Sequence, residues 1–208
     1  VIRISAIVVL VVSCKVKDPP PITGPWTDNF ERDEIGGDYY KTGGGHTVTG
    51  GALSTKGSYN QPLWLRKKLP RDVQIDVTAW SKSTSGDIKV EIFGDGKSFD
   101  PDRGGYQSSG YVLIFGGWNN SKSIIAKGDE HGKQLVEKQP PVRVEVGRKY
   151  KFRIVRDGKK LTWYVDDMEK PFLEYDDDRP FEGPGHEYFA FNNWESDSWF
   201  DDLVVTPL

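Results

Sequence analysis

"YKFRIVRDGKKLTWYV", residues 150–165, decides the fold class. Two alternating runs of apolar and polar residues flank Asp157-Gly158, and Asp-Gly between such runs is the strongest short-range signal for a β-hairpin. Upstream, "VQIDVTAW" (73–80) alternates as well. Val73, Ile75, Val77 and Ala79 share one side, and Gln74, Asp76, Thr78 and Trp80 share the other, as a strand with one face in a core requires. "LSTKG", "DIKVEIFG", "GYVLIFGGW", "VRVEVG", "HEYFAFNNW" and "WFDDLVVTPL" are further short β-branched or aromatic runs, bounded by Gly, Asn, Asp or Pro. No segment carries a 3.6-residue period. Antiparallel strands with closely spaced turns predict an all-β sandwich or barrel.

Composition agrees. The 208 residues suit one domain with a sizeable core. Aromatics make up 12%, with 23 Gly, 13 Pro and 7 Trp, a turn-rich and aromatic-rich composition. Net charge is -3, with Lys and Arg interleaved among Asp and Glu, so no basic field exists to attract a phosphate backbone and no nucleic-acid partner is expected. His46, His131 and His186 are too scattered for a zinc site. No G-x-S-x-G, Walker A or dinucleotide fingerprint is present.

The N-terminus stands apart. "IRISAIVVLVVSCK" (2–15) has one cation at Arg3, an apolar run, then Ser13-Cys14, the one cysteine of the chain. It resembles a bacterial lipoprotein signal with Val11 to Cys14 as lipobox; a short strand with a buried cysteine is the alternative. The run is shorter than the roughly 20 apolar residues a membrane span needs. The resemblance implies a signal peptide at 1–13, lipidation of Cys14, attachment to a membrane through that lipid, and a place in the bacterial cell envelope facing the periplasm or the exterior. Residues 14–25, with Pro19, Pro20, Pro21 and Pro25, are expected to form an extended linker.

"WTDNFERDEIGGDYYKTGGGHTVTGGALST" (26–55) carries a second resemblance. Its D-x-F-x-R (Asp28, Phe30, Arg32), then Gly36, Tyr39 or Tyr40, Gly43 to Gly45 and Gly50 to Leu53, resemble the opening of concanavalin A-like, laminin-G-like jelly-roll domains of exported bacterial proteins. "DGKKLTWYVDD", "FAFNNW" and "FDDLVV" resemble the closing strands. The resemblance implies a jelly-roll β-sandwich over 26–208, with the last strand beside the first. It leaves function open, because lectins, carbohydrate-binding modules, glycosidases and adhesion domains share this fold.

Several clusters could carry a site. "GGWNNS" (116–121) and "FNNWES" (191–196) each end a strand with tryptophan beside two asparagines. An indole plane stacks on the C–H face of a sugar while amides bond its hydroxyls, so Trp118, Asn119, Asn120, Asn192, Asn193 and Trp194 are the expected ligand-binding residues. The competing reading makes the tryptophans core plugs and the asparagines turn residues. "AFNNWESDSWFDDL" (190–203) invites a reading as a retaining glycoside hydrolase, which needs two carboxyls about 5 to 5.5 Å apart. Glu195 and Asp197 match the first part of the E-x-D-x-x-E or E-x-D-x-x-x-E pattern of laminarinase-like jelly rolls, but the third position holds Phe200 in the first spacing and the shorter Asp201 in the second. The stretch reads instead as a hairpin turn into the closing strand.

Glu91, on the face of "DIKVEIFG" that also holds Lys89 and Phe93, joins Glu130, His131 and Glu195 as candidate catalytic groups should the domain hydrolyse glycans. Glu130 and His131 lie in the charged loop "KGDEHGK" (127–133), and a second long polar loop spans 94–110. No cofactor is required. By resemblance a structural Ca²⁺ could sit between first and last strands on Asp28 with Asp201 or Asp202. The expectation is a monomeric, lipid-anchored domain that binds carbohydrate, with a glycoside hydrolase or a structural or adhesion module as alternatives.

Overall fold

The computed structural model describes residues 18–97 and 107–208. Cys14, the expected signal segment and the middle of the 94–110 loop lie outside the described residues. In chain order the strands are β1 (Trp26–Asp28), β2 (Tyr39–Lys41), β3 (Thr47–Thr49), β4 (Ala52–Ser54), β5 (Leu63–Leu65), β6 (Val73–Ser81), β7 (Ile88–Gly94) and β8 (Tyr111–Gly116). After a one-turn element, α1 (Gly117–Asn120), come β9 (Lys122–Lys127), β10 (Leu135–Glu137), β11 (Tyr150–Asp157), β12 (Lys160–Val165), β13 (Leu173–Asp176), β14 (Tyr188–Asn192) and β15 (Ser198–Pro207).

They form two antiparallel sheets packed as a jelly-roll sandwich. One runs β13-β12-β11-β6-β15-β4-β3, with β1 added beside β15; the other runs β10-β9-β8-β7-β14-β5-β2. The Asp157-Gly158 hairpin forms as expected, with Asp157 opposite Lys160 and Gly158 at a φ of 56°. Along β6 the predicted inward residues Val73, Ile75, Val77 and Ala79 are buried. Between the sheets they meet Phe115, Phe152, Trp163, Phe191 and Phe200 in one continuous core. Pro20 to Ile22, within the expected linker, lie along Lys68, and Ile22 enters the core.

First and last strands do pair: Trp26, Thr27 and Asp28 oppose Val205, Val204 and Leu203. The D-x-F-x-R motif has a structural reason. Arg32 donates to both carboxylate oxygens of Asp28 at 2.6 and 2.8 Å, while the Phe30 amide and the Tyr39 hydroxyl donate at 2.9 and 2.8 Å. This lock fixes the sharp turn that drives Phe30 into the core.

Three expectations fail, each for a physical reason. "VRVEVG" (142–147) is not a strand. The backbone N–H and C=O of Val144 are paired by the side-chain amide of Asn120 at 2.7 and 2.8 Å instead of by a neighbouring strand. Residues 193–197 are not a hairpin turn, because β14 and β15 belong to different sheets; the segment crosses the edge of the sandwich. Phe93 does not share the face of Lys89 and Glu91. A register shift opposite Tyr188 and Phe189, with Phe93 at a φ of 56°, turns its ring into the core.

Candidate functional site

A groove of about 890 Å³ opens over the outer face of the seven-stranded sheet. Lys89 of β7 and Ile114 of β8 form its floor. Five connections bring the walls: Tyr59 and Asn60 between β4 and β5, Ser85 and Asp87 before β7, Trp118 and Asn119 after β8, Glu130 and His131 between β9 and β10, and Trp194, Glu195 and Ser196 after β14. Of the residues expected from sequence, Trp118, Asn119, Glu130, His131, Trp194 and Glu195 therefore come together. Trp118 is 36% exposed, Trp194 48% and Tyr59 53%, so these rings are not core plugs. Tyr59 stands edge-on to Trp194 at 5.9 Å, and His131 edge-on to Trp118 at 5.7 Å.

The floor is charged. The Lys89 ammonium, its side chain only 1% exposed, lies 2.9 Å from Glu130 Oε2 and donates to Asn60 Oδ1 at 3.0 Å. Asp87 sits beside this pair. Burial lifts its carboxyl above the usual carboxylate range; the charge of Glu130 adds to the lift and Lys89 opposes it. The Asp87 carbonyl accepts from the Ser198 hydroxyl at 2.9 Å, which ties the β6–β7 turn to the end of the crossing segment.

Three of the four asparagines expected to touch ligand are structural. Asn120 is the strand substitute at Val144. Asn193, fully buried, donates to the carbonyls of Thr55 and Ser196 at 3.1 and 2.6 Å and accepts from the Ser196 hydroxyl; its own carbonyl receives the Asn60 amide at 2.6 Å. It thereby sets Tyr59 next to Trp194. Asn192 is buried with its Oδ1 on the Asn193 amide. Asn119 alone reaches the groove. Glu91, also buried, does not line it: Oε1 receives the amides of Ser109 and Gly110 at 2.9 and 2.8 Å and so anchors the 94–110 loop.

The calcium reading gains no support at its named residues. Asp28 is saturated by Arg32, Tyr39 and the Phe30 amide. Burial alone would raise its carboxyl, but these donors bring it below its ordinary value. Asp201 faces Lys149 at 3.7 Å and accepts the Asp202 amide. Among the described residues no three His, Cys, Asp or Glu side chains gather to hold a metal.

Sequence reading missed Tyr59, Asn60, Ser85, Asp87 and Lys89 as one site, since they come from separate turns and a strand. A backbone signal unites most of the site. Among the described residues ten non-glycine residues have positive φ, and five of them, Tyr59, Asn60, Asp87, Trp118 and Asn119, line the groove. Asn tolerates this conformation; for Trp and Tyr it costs roughly 1 to 2 kcal/mol each. Such strain persists only where surrounding structure imposes it, and it clusters at functional sites. Here Asn120 clamps the turn from below and the Ser121 hydroxyl bonds the Trp118 carbonyl at 2.7 Å. Gly86 must be glycine for this arrangement, because a β-carbon there would lie 2.5 Å from the Gly116 carbonyl.

Solved structures share the fold. The carbohydrate-binding module CBM66 from Bacillus subtilis aligns with a TM-score of 0.62 and 13% identity over 81% of this chain and 95% of its own. A laminarinase from Flavobacterium sp. UMI-01 aligns with a TM-score of 0.58 and 12% identity over 87% and 98%. A Bacillus subtilis protein of unknown function with a galectin-like fold aligns with a TM-score of 0.58 and 14% identity over 81% and 89%. At these identities the likeness establishes the architecture alone. No curated protein matches the chain. Residues 96–202, just over half of the sequence, match the family model described as "Farnesoic acid 0-methyl transferase", and the chain belongs to that family.

Proposed function

We propose that this domain binds carbohydrate in the groove walled by Trp118, Trp194 and Tyr59. The observation that carries the reading is the convergence of three partly exposed aromatic rings and hydrogen-bonding side chains, much of it held in strained backbone, on one concave face. Rings of this kind stack on pyranose C–H faces, and Asn119, Asp87 and Glu195 stand where hydroxyls would be bonded. Solved structures with the same architecture include a carbohydrate-binding module and a laminarinase, which supports the reading. The family's description speaks of farnesoic acid and methyl transfer. An isoprenoid chain is apolar and would have to lie along the carboxylates of Asp87 and Glu195, which reach solvent and would lose their hydration. The lining does not suit that group.

A glycan-array screen of the protein tests the reading. Retention of a defined glycan class, weakened on Trp194→Ala, is expected; no retention on any glycan would refute it. We further propose, from the sequence of residues 11–14, that Cys14 carries a lipid anchor that holds the domain at the cell envelope. Labelled fatty acid fed to a bacterial host should enter the protein and not its Cys14→Ser variant, and equal labelling of both would overturn this.

A further inference from the structure

The charges of the groove do not cancel, and what remains unpaired says which sugars it takes. The ammonium of Lys89 is used up by Glu130 and Asn60, and its side chain is almost fully covered, so it is not offered to an anionic ligand. Glu130 is neutralised by that contact. Asp87 and Glu195 line the same cavity, and among the described residues neither has an ion pair with a cation. The Asp87 carboxylate accepts one long bond, from the Trp194 amide to Oδ2 at 3.4 Å; among the described residues Oδ1 receives no donor. The other basic side chains near the walls already have partners. Lys122 lies 5.6 Å from the Trp118 ring and 4.0 Å from Glu137, and the His131 ring stands 3.6 Å from Glu130. The groove therefore presents a half-buried carboxylate without a counter-ion, framed by indole and phenol rings whose faces also attract cations.

We propose that the groove selects glycans bearing a free amine, the sugar ammonium seated on Asp87 Oδ1 between Trp118 and Trp194, over neutral and acidic glycans. The inference rests on the carbohydrate reading above and adds the chemical class of the sugar. A charge-assisted hydrogen bond to a desolvated carboxylate is worth about a tenfold gain in affinity over a hydroxyl at the same place. An acidic sugar meets the field of Asp87 and Glu195 and is repelled. The elevated Asp87 carboxyl agrees with a site awaiting a cation, since an ammonium beside it would draw it back down.

The experiment titrates the whole protein at pH 7 with matched pentasaccharides of glucosamine, N-acetylglucosamine, glucose and glucuronate, and with the same four forms in the galactose series. The amine form of one series is expected to bind about tenfold more tightly than its hydroxyl and acetamide forms, and the acidic form least. Asp87→Asn should bring the amine form down to the level of the hydroxyl form. That variant keeps the turn, since Asn accepts the positive φ of 58° found at Asp87. A neutral or acidic form that binds as well as the amine form overturns the inference and leaves the carbohydrate reading standing. So does an amine preference that survives Asp87→Asn, or failure of all eight sugars when the array retains another glycan. If neither the array nor the titrations show binding, both readings fall together.

Discussion

Truncating Trp194 to alanine separates a ligand platform from a structural plug. With 48% of the residue exposed, about half of an indole surface of roughly 200 Å² is covered, or about 100 Å². At about 25 cal/mol per Å² that burial is worth at most about 2.5 kcal/mol, and less against a compact unfolded chain. The side chain borders open solvent, so its removal leaves no closed cavity. A loss of about 1 to 2 kcal/mol is expected for Trp194→Ala. Trp163 is the internal reference: it has no exposed surface and stands edge-on to Phe115, Phe152 and Phe172 at 6.1, 5.2 and 5.2 Å. Trp163→Ala should cost about 3 to 5 kcal/mol or more, since transfer and cavity contributions add. Binding should split the other way. Loss of the stacking plane of Trp194 removes about 1 kcal/mol, close to fivefold in Kd, from the glycan the wild type retains. Urea unfolding gives the first quantity and calorimetric titration the second. If Trp194→Ala loses as much stability as Trp163→Ala, or binds its glycan unchanged, the assignment of the groove is wrong.

Further outcomes follow from single polar groups. His46 is buried, and burial, with Lys41 nearby, lowers its pKa from 6.5 to about 4, a contact with the Gly44 backbone only partly opposing it. Between those values the unfolded chain binds a proton that the native state refuses. The contribution of His46 to stability is thus complete above about pH 6.5 and lost progressively towards pH 4, by about 3 kcal/mol in total. Unfolding free energies measured at intervals from pH 7 to 4.5 should show this slope, and His46→Phe should flatten it; an equal slope in the variant would discount the histidine. The depressed Asp28 carboxyl acts lower, its stabilisation being lost only as pH falls below about 4. Asn193→Ala should cost about 2 to 3 kcal/mol, because it strands the carbonyls of Thr55 and Ser196. Asn119→Gly, at a positive φ of 57° on the groove wall, should stay within about 0.5 kcal/mol and weaken only binding; thermal melts of the two variants compare them directly.

Local periodicity carried most of the fold. The alternation along 73–80 and the Asp157-Gly158 turn state their structure in the chain itself, because strand faces repeat every two residues and a tight hairpin needs a glycine at positive φ. The D-x-F-x-R motif was legible only through its resemblance to a family; its Asp28 was read as a possible calcium ligand, and the lock onto Arg32 is a finding of the structure. Where a long-range partner decides, reading from sequence failed. Val144 has the pattern of a strand, but the amide of Asn120 takes its backbone bonds. Phe93 has the spacing of an outward residue, but a bulge set by the pairing of β7 with β14 turns it inward.

The candidate site shows the division most clearly. Composition and the twin Trp-Asn clusters pointed to sugar chemistry, and residue types alone are enough for that. Which members of those clusters face the groove is decided by tertiary structure. Asn120, Asn192 and Asn193 look like Asn119 in sequence, yet buried carbonyls and amides from distant segments claim their side chains. Asp87 and Tyr59 carry no motif at all. They enter the groove because five connections converge on one face of one sheet, and because the sign of a single φ angle turns each side chain toward that face. Periodicity describes neighbours along the chain; it holds no record of which turns the two sheets will bring together.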